Sequence, residues 1–156
     1  MQKRKTSSGI LLYRERAGEL ECLLVYPGGP FWKNKDDGAW GIPKGEIEEN
    51  EDLLEAAKRE FEEELGIQLP SETPLPLGSI EQKSGKVVYA WALKADLDLL
   101  KVRSNTFTLE WPPKSGKFQE FPEIDRAEFF DVETARRKIN PAQIPFLERF
   151  LEIASK

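Results

Sequence analysis

The residues best suited to chemistry lie between Gly45 and Ile67. Glu60, Glu63 and Glu64 are three and four positions apart, so on a helix their carboxylates share one face. Like charges set this close repel one another and weaken the helix unless a counter-charge is present. Hard divalent cations take carboxylate oxygens and would relieve that repulsion, and they also bind phosphate oxygens. Arg59 stands inside the cluster. It can pair with Glu63 four residues on and with Glu55 four before, holding carboxylates in place. A solvated acidic helix face is the ordinary alternative, and spacing alone does not exclude it. The balance shifts on three neighbours: Gly45 in the preceding loop, Gly66 at the end, and the arginine within the cluster.

These side chains need a scaffold, and the pattern supplies one. Residues 7–13 and 20–26 read as paired strands, and 27–39 carry loop chemistry in Gly28, Gly29, Pro30 and Gly38. Residues 40–43 read as a short extended segment, with Pro43 discouraging helix just before it. Asn50 is expected to cap a helix from Glu51 to Leu65, with Gly66 as its left-handed terminator. Leu54, Ala57, Phe61 and Leu65 give that helix one apolar stripe, beside its acidic face. Residues 77–82 and 86–94 read as strands around the turn Ser84-Gly85. The stretch 97–122 reads as irregular, 127–130 as a short strand, and 131–139 and 141–154 as helices. Strands first, one interrupting helix and closing helices suggest an α/β sandwich with a mixed sheet.

The chain has 156 residues, which fits a single domain, and a net charge of −5. It has no histidine, which removes Ser-His-Asp and Cys-His nucleophiles and histidine zinc sites. Cys22 is the only cysteine, set in an apolar run, and reads as a small buried hydrophobe. A lone cysteine fits a reducing, cytoplasmic setting. No apolar stretch reaches the ~20 residues of a membrane span, and the basic start, 1–6, leads into a strand pattern. No basic face is evident, so a large nucleic acid partner is not expected.

Gly45, Glu51 and the run REFEEELGI at 59–67 resemble the box of the Nudix hydrolase family at every defining position: both glycines, Glu51, Arg59, Glu60, Glu63, Glu64 and the apolar Phe61 and Ile67. The resemblance implies one Nudix-type α/β/α sandwich over 1–156. It implies Mg²⁺ (or Mn²⁺) held by Glu60, Glu63, Glu64 and the Lys44 carbonyl, with Glu51 helping through water or Arg59. It implies a hydrolase of phosphorus-containing acid anhydrides, in which water attacks one phosphorus of a diphosphate bridge. The general base is a box glutamate or one from a distal loop. Glu123 lies about where a distal glutamate acts in the family, with Glu120 and the weaker Glu110 as other candidates.

A small nucleotide substrate would need aromatic and cationic contacts. Trp32 and Trp111 lie in loops and Tyr89 and Trp91 on a strand, while Trp40 is expected to pack beside the box. Lys33, Lys35, Lys44, Lys83 and Lys86 are the nearby cations. The segments 40–45 and 86–91 are loosely similar to the branch that cleaves diadenosine polyphosphates, which makes a dinucleoside polyphosphate the best guess. Nucleoside triphosphate pyrophosphohydrolysis, a non-catalytic sensing domain and RNA cap removal remain alternatives, and the chain is expected to be a monomer or homodimer.

Overall fold

The structure is a computed structural model that describes residues 5–154. The expectation for the extreme basic start, residues 1–4, therefore lies outside the described residues. Among the described residues, eight strands and three α-helices follow the order β1 (Thr6–Arg16), β2 (Glu19–Pro27), β3 (Lys44–Glu46), α1 (Leu53–Leu65), β4 (Leu75–Glu81), β5 (Val87–Lys94), β6 (Thr106–Glu110), β7 (Phe118–Pro122), β8 (Ile124–Asp131), α2 (Val132–Lys138) and α3 (Ile144–Ala154).

The main sheet runs β4-β5-β1-β2-β8, with β3 paired to β1. β1 and β5 are parallel, while β1–β2, β1–β3, β2–β8 and β4–β5 are antiparallel, so the sheet is mixed. β1 is buried from Ser7 to Leu12 because helices cover both faces of a central strand. Its side chains alternate between them. Ile10 and Leu12, with Leu23 and Val25 of β2, pack against Ala57, Phe61 and Leu65 of α1. Leu11, with Cys22, Leu24 and Tyr26, packs against Ala135, Phe146, Leu147 and Phe150 from α2 and α3. This is the expected α/β/α sandwich. Burying Phe61 and Leu65 completely is worth roughly 1.5–3 kcal/mol each, enough to fix which face α1 turns to the sheet.

Several boundaries differ from the sequence reading. Asn50 does not cap α1; it sits at φ 62°, a left-handed position that asparagine tolerates. Asp52 takes the cap instead, accepting from the Glu55 N–H at 3.1 Å, and the helix begins at Leu53. Gly66 ends it as expected, at φ 67°, donating its N–H to the Glu62 carbonyl. Asp131 caps α2 rather than opening it. A 3-10 turn, Pro141–Gln143, precedes α3, held by the Ala142 N–H donating to Asn140 Oδ1 at 2.9 Å. The largest correction is the stretch 97–122. It contains the hairpin β6–β7, in which Phe107 faces Phe121, and it hands the chain directly to β8.

Cys22 is fully buried, as expected, and burial pushes its thiol up to about 12. Among the described residues no helix is long and apolar enough to cross a membrane.

Candidate active site

α1 lays one side on the sheet and presents its acids along the edge of that contact. Arg59 is the hub. Its Nε donates to Glu51 Oε2 at 2.7 Å and its Nη2 to Glu51 Oε1 at 2.8 Å, a two-pronged pair. Nη1 donates to Glu60 at 2.9 Å and to Glu63 at 3.1 Å, and Nη2 reaches the Glu46 carbonyl at 3.3 Å. The expected pairing with Glu55 is not made; Glu55 lies 3.8 Å from Lys58 instead. Arg59 holds Glu51 well below the usual carboxylate range, down to about 2.

β3 brings Gly45 against this cluster. A Cβ built on Gly45 would lie 2.0 Å from Glu60 Oε2 and 2.2 Å from its Cδ. The glycine is therefore required by contact, not by backbone conformation, and the missing side chain is the space in which the Glu60 carboxylate lies. One residue earlier, the Lys44 N–H donates to Glu64 Oε2 at 3.1 Å.

Glu64 sits at the floor of a cleft of about 230 Å³, with Lys44, Glu123, Trp32 and Gln143 among its walls. Burial is the first cause that pushes its carboxyl up to about 8, and the charges of Glu60 and Glu123 add to it against Lys44. Glu60 is raised for the same reasons, burial first, with Glu63 and Glu123 adding to it against Arg59. Burial likewise lowers the Lys44 ammonium, and the charge of Lys86 adds to that. Lys86 itself stands 4.0 Å from Glu46.

Glu123 reaches the cleft from the far half of the chain, and its backbone is held on both sides. Its N–H donates to the Asn105 carbonyl at 2.8 Å, and its carbonyl accepts from Gly28 at 3.0 Å. The Ile124 N–H donates to Ser104 Oγ at 2.9 Å. Gly28 leaves no room for a side chain, since a Cβ there would lie 1.8 Å from the Pro122 carbonyl oxygen. Glu120 points elsewhere, onto Thr106, and Glu110 accepts from the Lys114 N–H.

The aromatic candidates divide. Trp32 lines the cleft, its segment fixed by the Tyr26 hydroxyl lying against the carbonyls of Trp32 and Lys35. Trp111 lies outside the cleft wall, edge-on to Phe31 at 5.4 Å. Tyr89 is half-buried on β5, opposite Ser8 and Ser79, and does not line the cleft either. Trp40 lines the cleft as well, with Lys44 and the box residue Glu64, although its core contacts are not those of α1. It is buried on the opposite face of the sheet, edge-on to Tyr26 and Phe130, with Nε1 donating to Asp36 at 2.8 Å. The sequence reading missed Gln143 and Asn140, both of which line the cleft. A glutamine in the first turn before an amphipathic helix carries no local mark of a cleft residue.

Among the described residues no three Asp, Glu, Cys or His side chains are already drawn around one metal position. The donor set nevertheless fits a hard divalent cation. Three carboxylates repel one another in a half-buried space, and two of them hold protons more tightly than carboxylates in water do. A cation would relieve both costs. This has a measurable consequence. Glu64 binds its proton more tightly folded than unfolded, so the folded state carries the extra proton between pH 4.5 and about 8. Stability of the metal-free protein should therefore fall as pH rises through that window, by up to about 1.4 kcal/mol per pH unit. With no histidine in the chain, little else titrates there. Thermal unfolding at pH 5, 6.5 and 8 should show a falling midpoint without metal, and a Mg²⁺-induced rise that grows with pH. A metal-free midpoint that climbs from pH 5 to 8 would refute this.

The NUDIX domain family model matches residues 3–150. No curated protein matches the chain. Among solved structures it is similar to an Ap4A hydrolase of C. elegans in a binary complex, at 23% identity, covering 96% of this chain and 98% of that one with a TM-score of 0.69. It is similar to the NUDIX domain of Shewanella oneidensis NrtR complexed with ADP ribose, at 15% identity, covering 99% and 90% with a TM-score of 0.67. A mutT/nudix family protein from Listeria innocua matches at 18% identity, covering 99% and 96% with a TM-score of 0.66. At these identities the likeness is one of fold.

Proposed function

Because the chain belongs to the NUDIX domain family, and so among hydrolases of pyrophosphate anhydrides, we propose that it cleaves the diphosphate bridge of a dinucleoside polyphosphate in a reducing, cytoplasmic setting. The observation that carries the reading is the meeting of Glu64 and Glu123 with Lys44 at one cleft, with Glu60 near enough for its charge to act on Glu64. The fold shared with the C. elegans Ap4A hydrolase supports the choice of substrate.

Glu60, Glu63 and Glu64, with the Lys44 carbonyl, would hold Mg²⁺. When bound, that ion supplies a Lewis acid that lowers the pKa of water and neutralises charge on phosphate oxygens. The chain's own groups do the rest. Water attacks one phosphorus, its proton passes to the Glu123 carboxylate, and the bond to the bridging oxygen breaks with the other phosphate as leaving group. Lys44 lines the cleft and feels the charge of Lys86, and an anionic ligand would relieve that repulsion. Arg59 does not touch substrate in this scheme; it keeps Glu60 and Glu63 aligned by pinning them to Glu51.

The test is a substrate panel with Mg²⁺: diadenosine tetraphosphate, common and oxidised nucleoside triphosphates, ADP-ribose and NADH, with products separated by chromatography. Diadenosine tetraphosphate should yield ATP and AMP faster than any other compound reacts, and chelator should stop all turnover. A triphosphate giving monophosphate and pyrophosphate faster would replace the substrate assignment. Turnover that survives chelation would remove the mechanism. Binding of Mg²⁺ with no turnover of any compound would favour a sensing domain.

A further inference from the structure

The proposed substrate is larger than the cleft. A volume of about 230 Å³ falls below the range that encloses a single drug-sized ligand, so a dinucleoside polyphosphate held at Glu64 and Lys44 must run out along the surface. The 3-10 turn Pro30–Trp32 marks one way out. Trp32 lines the cleft, whereas its chain neighbour Phe31 stands outside the wall and is 62% exposed. A single bare apolar side chain would need no explanation, but Phe31 is not alone. The half-buried Trp111 ring stands edge-on to it at 5.4 Å.

Both rings are held before any ligand arrives. A Cβ on Gly29 would lie 2.9 Å from Phe107 Cζ, so β6 packs directly against the backbone that leads into the turn. The Tyr26 hydroxyl fixes the other side, at the carbonyls of Trp32 and Lys35. The Trp111 N–H donates to the Lys117 carbonyl at 2.9 Å, and the Trp111 carbonyl accepts from Gln119 Nε2 at 3.2 Å. Rings fixed in this way lose little freedom when a ligand covers them. The same loop carries the charge that a polyphosphate needs. Asp36 and Asp37 pair with Lys138 and Arg137, and among the described residues Lys33 and Lys35 pair with no acid. Lys35 Nζ stands 5.1 Å from the centre of the Trp32 ring, beside the cleft wall.

We propose that the Phe31–Trp111 step is the subsite for the second nucleoside of a dinucleoside polyphosphate, its base stacking on the exposed face of Phe31 while Lys33 and Lys35 attend the phosphates that lead back to the cleft. Stacking uses the face that every base presents, so the subsite accepts adenine as well as any other base. The inference rests on the proposed dinucleoside polyphosphate activity and deepens it: the hairpin β6–β7 serves the half of the substrate that the cleft does not enclose.

The test measures binding without turnover, by calorimetry with Mg²⁺. One probe is diadenosine tetraphosphate with methylene groups in place of both α,β-bridging oxygens; the other is α,β-methylene ATP, which has one nucleoside. The first should bind about tenfold more tightly than the second. Phe31→Leu keeps an apolar side chain without an aromatic face and should abolish that ratio by weakening only the dinucleoside probe. Phe31→Tyr should keep the ratio, and Trp111→Ala should reduce it severalfold. Equal binding of the two probes to the unaltered protein, binding of neither, a ratio that survives both Phe31→Leu and Trp111→Ala, or an equal loss for both probes would each overturn the inference. Sedimentation is run alongside: a dimer that Phe31→Leu splits would mean that a second copy covers the rings, and the subsite would fall. Hydrolysis of diadenosine tetraphosphate without the tenfold ratio would leave the proposed activity standing and remove only the subsite. The ratio without hydrolysis would support the subsite and remove the activity.

Discussion

Glu64→Gln is expected to lower the rate of diphosphate hydrolysis on the order of 10³-fold while making the metal-free protein more stable. The two effects share one cause. Glu64 is buried beside Glu60 and Glu123, and its carboxyl is pushed up to about 8, so at neutral pH the folded state bears the cost of a poorly solvated acid. Glutamine has the same shape, and its oxygen can still accept the Lys44 N–H. It carries no charge to desolvate. A gain of about 1–3 kcal/mol near pH 7 follows from the size of the shift. What is lost is the anionic oxygen that the proposed mechanism needs for Mg²⁺. Calorimetric unfolding and steady-state kinetics on the same preparation check both halves. Full activity would remove Glu64 from the ion's ligands; lost stability would mean that the carboxylate is better accommodated than its surroundings imply.

The second large effect is expected from Gly45→Ala. One methyl group would stand 2.0 Å from Glu60 Oε2, well inside contact distance. Glu60 ends a flexible side chain, so it can move, but it cannot move and keep its 2.9 Å bond to Arg59. A displacement of about 1 Å in a reacting constellation costs roughly 100-fold in rate. Stability should change far less, because β3 is short and lies beside the cleft. The kinetic measurement should show a fall in kcat near 100-fold with far-ultraviolet circular dichroism unchanged. Wild-type kcat in this variant would mean that Glu60 is not held where the reaction occurs.

What the sequence disclosed is local in kind. The box could be read because its acids, its arginine and its two glycines answer to one another within a single helix and its flanks. Gly66 was legible as a helix terminator because only a residue free of a Cβ penalty is at ease there. β1 was legible as a strand, but that Ile10 and Leu12 face one layer of helix and Leu11 the other became plain only in the structure. The cap on α1 was misplaced by two residues because Asn50 and Asp52 are both good caps, and the choice depends on where Glu46–Asp52 turns. The hairpin β6–β7 was hidden because Thr106–Glu110 and Phe118–Pro122 bury only part of one face, and its stabilising partners, Gly29 and Phe31, are some 80 residues away along the chain. That the Trp40 ring packs on Phe130 was not legible for the same reason: Phe130 belongs to β8. Gln143 gave no sign at all, since a bond from residue 42 to residue 143 leaves nothing in the residues around either.

The strand order has a consequence for how the molecule is made. β2 lies between β1 and β8, so the edge from Glu21 to Pro27 stays unpaired until Ile124–Asp131 has been synthesised. β1 likewise waits for β5, its parallel partner. Contacts this distant make folding slow, because the entropy of closing a long loop must be overcome before the contact contributes anything. The nascent chain therefore presents an open, apolar strand edge for most of its synthesis, the kind of edge that recruits other chains. Glu64 is in place early, but Glu123 arrives only just before β8, the strand that closes that edge, and Gln143 after it. Completion of the sheet and completion of the cleft are one event, and a half-made chain has the acids without the pocket.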